Sequence, residues 1–369
     1  MIVKLKDLRP ICSKILYAID TDNTAIEGTD ILLITAKDDK LKLYVTSTDY
    51  NVEVNLDVVT DEEFDVVVDA KSFVKLISQF TRENVELSAL NNALSVKCDG
   101  QYKIPYIANE DDIFGKTKIT LNNVVTKTTV SSDILKGILE YNSKELSKGT
   151  VSKFIQTMYY IDEKGAITFT TGACVNSFTL DEPVKLLLKQ KVVKLFKLFE
   201  DDAVTMLKAD DVIGNSYNQS KIQLIGKGIT VTAKISNEQG MFNAFPVELI
   251  RSRAFEQYPS CVTINKDEML SAINRLSIFN NAMFPGCNLQ FGESGIVVSN
   301  DDQSDNSELV PYAGDSNISG ITYSACVGLK ELKITLESCK ERVIDIYFGN
   351  RAAINIVRGS VRNIIPERY

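Results

Sequence analysis

The sequence predicts an α+β protein of three tandem domains, each with two helices on antiparallel sheet. Three observations carry that prediction. A short apolar strand running into a short amphipathic helix recurs at 64–80, 183–199 and 321–336. A second amphipathic helix recurs at 5–19, 131–146 and 265–279. Between these helices, apolar and polar residues alternate with the period of half-buried strands.

The first repeat aligns Phe73 with Val192, Lys75 with Lys194, Leu76 with Leu195 and Phe80 with Phe199, and places Lys330 on the same position as Lys75 and Lys194. Those lysines are 119 and 136 residues apart, a domain-sized period. In the second repeat, Leu8, Leu135 and Leu270 align at spacings of 127 and 135. The helices at 131 and 265 open on Ser or Asn followed by Asp, as helix starts prefer. Strands are expected in 30–59 around Asp38-Asp39 and in 83–107 around Asn91-Asn92. Hairpins are expected at 154–172, turned by Glu163-Lys164-Gly165, and at 287–300, turned by Gly292-Glu293-Ser294-Gly295. Each domain then holds about eight strands, and polar or Pro-containing stretches set the domains at 1–125, 126–256 and 257–369.

Composition narrows the function classes. A chain of 369 residues with 44% apolar and 24% charged residues is a soluble globular protein too long for one ordinary core. No apolar run approaches the roughly 20 residues that span a bilayer, and charges are spread through the N-terminal stretch. Seven scattered cysteines without a CxxC pair fit reduced thiols and a cytoplasmic location. Histidine is absent, which removes Ser-His-Asp and Cys-His catalysis and His-containing metal sites together. A carboxylate-only metal site or a lysine nucleophile is still open to such a chain, but no catalytic residue, metal or cofactor is expected. Asp301, Asp302 and Asp305 lack the spacing of a calcium loop and read as a solvated turn.

Charge is distributed unevenly. The formal net charge is −8, yet the run KLLLKQKVVKLFKLF (185–199) carries five lysines. On an α-helix, Val192, Leu195, Phe196 and Phe199 share one face, and Lys191, Lys194 and Lys197 lie opposite. Alone, such a helix is a solvated outer face or a membrane-surface helix. The repeats add Lys71, Lys75, Lys330 and Lys333 on the equivalent helices, and Arg9, Lys14, Lys136, Lys144 and Arg275 on the other helix class. Most acids fall in turns such as 61–65, 109–112 and 300–308. If these helices share one surface, an acidic protein presents a basic face to phosphates, with contacts blind to base sequence.

Three α+β domains with basic helices in about 370 residues resemble the bacterial DNA polymerase III β subunit, the sliding clamp family. The matching stretches are 41–54, 68–77, 153–160, 170–175, 242–246 and the C-terminal 363–369. The resemblance implies half of a six-domain ring, completed by a head-to-tail homodimer, that encircles duplex DNA without reading its sequence. It implies a replicative processivity factor, not an enzyme, which tethers DNA polymerase and is placed by a clamp loader. Arg9, Lys14, Lys71, Lys75, Lys136, Lys191, Lys194, Lys197, Arg275, Lys330 and Lys333 would face DNA. Tyr102 and Ile104 would meet Ile278 and Phe279 of the other copy. A partner-peptide cleft would comprise Ile155, Thr170, Gly172, Cys174, Val175, Pro246, Asn363, Ile365, Pro366 and Arg368. The chain departs from the family at Thr171-Gly172-Ala173-Cys174, where Asp-Gly-His-Arg is usual. Glu367 would bring a carboxylate to a normally apolar rim. These departures point to a viral or otherwise outlying member with an altered partner motif. The alternative is a clamp-fold interaction scaffold that does not load on DNA.

Overall fold

The computed structural model describes residues 1–19, 30–108, 112–146, 158–169, 172–213, 217–236, 246–280, 285–301, 306–314, 316–318, 322–350 and 352–368. These form two compact units, Met1–Leu135 with Lys194–Ser236, and Lys136–Val193 with Asn237–Tyr369.

The first unit opens with β1 (Ile2–Lys4) and α1 (Leu5–Ala18). β2 (Ile31–Lys37) and β3 (Lys40–Thr46) are joined through Asp38 and Asp39, both left-handed at φ 51° and 54°. Two such residues make the tight turn that matches the twist of a hairpin. β4 (Tyr50–Asp57), β5 (Phe64–Asp69) and α2 (Ala70–Gln79) follow. The Asp69 carboxylate caps α2 by accepting from the Ser72 amide at 2.6 Å. Then come β6 (Asn84–Ala89), β7 (Ala93–Lys97), β8 (Gln101–Pro105), the single turn α3 (Ile113–Thr117) and β9 (Val124–Val130). Helix α4 (Ser132–Leu146) starts in this unit and continues in the next. The unit is completed by β14 (Val204–Ile213), β15 (Tyr217–Gly226) and β16 (Ile229–Lys234). Its sheets run β1-β6-β7-β8 and β5-β2-β3-β4-β16-β15-β14-β9. Leu8, Ile11 and Ile15 of α1 and Phe73, Val74 and Ile77 of α2 are buried, and the two helices touch.

The second unit holds β10 (Met158–Asp162), β11 (Gly165–Phe169), β12 (Ala173–Ser177), β13 (Lys185–Lys189) and α5 (Gln190–Val193). After α6 (Val247–Ala254) come β17 (Ser260–Asn265), α7 (Lys266–Ser277), β18 (Gly286–Phe291), β19 (Gly295–Asn300) and β20 (Ser307–Pro311). β21 (Tyr323–Gly328), α8 (Leu329–Ser338), β22 (Val343–Phe348), β23 (Ala353–Arg358) and β24 (Val361–Pro366) end the chain. Its sheets run β13-β10-β11-β12-β24-β23-β22-β17 and β20-β19-β18-β21. Met269, Ile273 and Leu276 of α7 and Leu332 and Leu336 of α8 share a core with Phe291 and Phe348, whose rings stack 3.7 Å apart.

Raising every strand number of the first eight-stranded sheet by eight gives the second, in the same order. The antiparallel α+β plan of three repeats is therefore written in the topology. Each long sheet joins halves of two successive repeats, through β4–β16 in one and β12–β24 in the other. That sharing is why the two compact units divide the chain elsewhere than at 125 and 256.

Two expectations change. The run 190–199 is not one α-helix: α5 passes into a 3-10 turn at Lys194–Leu198. Val193 and Leu198 are buried along with Val192, Leu195, Phe196 and Phe199. Two apolar residues in every three, with lysine as the third, suit three residues per turn better than 3.6. Lys330 also sits one turn earlier than aligned. It follows the end of β21 by two residues, as Lys71 follows β5, whereas Lys75 follows by six.

Candidate nucleic-acid interface and partner cleft

In the first unit, Arg9, Lys71, Lys75, Lys194 and Lys197 are exposed and Lys14 is half-buried. Arg9 donates to the carbonyls of Ser78, at 3.3 Å, and Phe80, so its cation caps the C-terminal end of α2. A cavity of about 280 Å³ lies beside it, lined by Arg9, Cys12, Ser13, Val74, Ile77 and Ser78. Burial pushes the Cys12 thiol up to about 12, so it is a packing group, not a nucleophile. Lys14 pairs with Glu200 at 3.4 Å, and the Lys197 ammonium lies 5.4 Å from the centre of the Tyr17 ring.

In the second unit, Arg275 and Lys330 are exposed, and Lys136, Lys191 and Lys333 are half-buried. Arg275 forks onto Glu308, with Nε 2.9 Å from one oxygen, and that hydrogen bond holds the Glu308 carboxyl below the usual range. Exposed pairs of this kind contribute little, so phosphates can compete for such cations. Each unit therefore displays basic helix positions, some already engaged by the chain's own oxygens.

Of the expected cleft residues, Ile155 and Thr170 lie outside the described residues. The other eight belong to the second unit but do not share one face. Register pairs Cys174 with Asn363 and Val175 with Arg362 across β12 and β24. Val175 packs with Ala173, Ile364, Val247 and Ile250 beneath α6. Gly172 is pressed against the Ile364 carbonyl, where a Cβ would collide, and Pro366 is exposed beside it. Pro246 caps α6. Cys174 turns the other way, towards the carbonyl of Tyr141 on α4, and Ile365 joins the Phe291 core. Arg368 donates to the Pro285 carbonyl at 3.3 Å and pairs with Glu331 at 3.4 Å.

Glu367 needs a correction. It does not stand as an unpaired carboxylate on the cleft rim, because it accepts a 2.6 Å hydrogen bond from the Tyr323 hydroxyl. Strand alternation sends it to the face opposite Ile364.

Sequence reasoning missed α6. It lies on the sheet through Ile250 and Ala254, and Arg251 is tied to the buried Asp162 of β10. The helix leaves Leu249 58% exposed, and Phe255 just beyond it is 54% exposed with the Arg362 guanidinium 4.8 Å from its ring. The apolar spacing of Val247, Ile250 and Ala254 is the signal that would have found it.

For the expected self-contacts, Tyr102, Ile278 and Phe279 are exposed, whereas Ile104 is buried. β8 and β20 are end strands of their four-stranded sheets, and Leu309 of β20 is exposed. Among the described residues no cluster could hold a metal ion, and no helix is long and apolar enough to cross a membrane.

Residues 29–112 match the family model described as DNA polymerase III beta subunit, N-terminal domain. No curated protein matches the sequence. Among solved structures, a putative DNA polymerase III beta subunit from Eubacterium rectale is 16% identical, with a TM-score of 0.77 covering 100% of this chain and 98% of that one. The Bacillus subtilis DNA polymerase sliding clamp is 14% identical, with a TM-score of 0.75 over 100% and 98%. The beta subunit from Borrelia burgdorferi, solved in complex with a natural product, is 12% identical with a TM-score of 0.80 over the same shares. Residues 29–112 are thus similar to the DNA polymerase III beta subunit N-terminal domain, and over its whole length the chain has the fold of the beta clamps.

Proposed function

We propose that the protein is a DNA sliding clamp, a replicative processivity factor whose ring is closed by a head-to-tail homodimer and whose domains are 1–125, 126–256 and 257–369. The observation that carries this is the three-times-eight strand plan, with basic helices in each unit, in a chain that the beta-clamp fold covers end to end. Topology then does the holding. Lys71, Lys75, Lys194, Lys197 and Lys330 need only make weak, salt-screened contacts with phosphates, which leaves the ring free to slide. Val175 beneath α6, Pro246 at its start, and Gly172 with Pro366 beside it are where a partner peptide of DNA polymerase or a clamp loader would dock, and tethering there keeps polymerase at high effective concentration. No chemical step is assigned to the chain, and its place of action is the cytoplasm.

Retention on DNA tests the proposal. Protein loaded on a circular duplex should stay with it through gel filtration and be lost within minutes once a restriction cut frees the ends. Equal loss from circle and linear DNA would refute a ring and leave the scaffold alternative.

A further inference from the structure

Helix α1 spends its apolar residues on the core, with Leu5, Leu8, Ile11, Cys12, Ile15 and Ala18 buried. Two large side chains in its last turn do not join them: Leu16 is 45% and Tyr17 41% exposed. The end of the helix is fixed, because the buried Tyr50 hydroxyl donates to the Ala18 carbonyl at 2.8 Å. Tyr17 is therefore an exposed aromatic held at a defined place beside the 3-10 turn of the same unit.

Its neighbours are cationic. Lys197 places its ammonium over the ring at 5.4 Å, and Lys14, one turn back, reaches Glu200. A cation within about 6 Å of an aromatic face is attracted to it, and the attraction restrains an otherwise flexible four-carbon stem. Partial burial raises the phenol's pKa, so the hydroxyl remains a donor at neutral pH. A phosphodiester oxygen is the ligand that suits both a hydroxyl donor and an ammonium, and side-chain hydroxyls commonly contact it.

We propose that Tyr17 belongs to the duplex-contacting surface, its ring positioning Lys197 and its hydroxyl donating to a backbone phosphate. The inference rests on the clamp reading. The chain contains no tryptophan, so Tyr17→Trp introduces a lone indole reporter. Full-length Tyr17→Trp would be titrated with a short labelled duplex at low salt, following indole emission and duplex anisotropy together. Emission should change in step with binding and recover on adding salt. Tyr17→Phe keeps the ring and loses the donor. It should weaken binding about three- to tenfold at an unchanged salt slope and an unchanged melting temperature. Lys197→Ala should lower the slope by about one. If the duplex binds while the indole stays silent and Tyr17→Phe binds normally, Tyr17 has no such role and the clamp reading stands. If neither short duplex nor circular DNA is held, both fall.

Discussion

Breaking the Arg251–Asp162 pair should unfold the second unit more readily, and unequally from its two ends. Asp162 closes β10 with its side chain 5% exposed, and Arg251 reaches it from α6 at 14%. The carboxylate also accepts from the Lys164 amide at 2.9 Å, and the Tyr160 phenol beside it is pushed up to about 12, first by burial and then by Asp162. Removing one partner of a buried pair costs about 3–5 kcal/mol, because the other charge is left without compensation. For a unit of this size that is a melting shift on the order of 10 °C. Arg251→Met strands the more buried charge and should cost the most. Asp162→Asn keeps an acceptor for both donors and should cost less. Thermal and urea unfolding of both variants at pH 7 would show this. An Arg251→Met cost below about 1 kcal/mol, or an Asp162→Asn cost larger than that of Arg251→Met, would refute the account of how α6 is held.

Two further outcomes are expected. Arg275 holds the Glu308 carboxyl below its ordinary range, so its stabilisation is present above about pH 4.3 and lost as pH falls through the lower folded value; Arg275→Gln should flatten that acid limb of the melting profile, and an unchanged limb would count against it. Arg358 is 3% exposed, and among the described residues no guanidinium nitrogen has a hydrogen-bond partner, while the Tyr141 ring lies 5.1 Å away. Arg358→Met should therefore leave stability unchanged or raised, and a loss above about 2 kcal/mol would mean the charge is compensated.

Features fixed by neighbouring residues were legible in the sequence. The Asp38-Asp39 turn, the alternation of β2 to β4 and the apolar stripes of α1, α2 and α7 depend on local chemistry. Three repeats were legible because two different helices recurred together. What failed was finer register. A lysine every third residue looked like one face of an α-helix, yet three residues per turn place it as well, and packing decided. Lys330 aligned to Lys75 by local likeness, but the end of the strand sets the helix start. The cleft was least legible. Asp162 and Arg251 are 89 residues apart and Tyr323 and Glu367 are 44 apart, so no local pattern announces either contact.

The strand arithmetic also bears on self-association. β4 pairs with β16 and β12 with β24, each pair being the previous one raised by eight. One more step calls for β20 to pair with a thirty-second strand, beyond the 24 strands of the described residues. In a head-to-tail repeat that strand is β8 of the next copy. β8 and β20 are end strands of their sheets, with Tyr102 and Leu309 exposed on them. Unpaired edges are ready templates for another chain, so the rule supports closure through backbone pairing, with Ile278 and Phe279 packing alongside. Leu309→Glu should then shift the species sedimenting at micromolar concentration from dimer towards monomer. A dimer indifferent to that charge would place the contact elsewhere and break the rule at its third step.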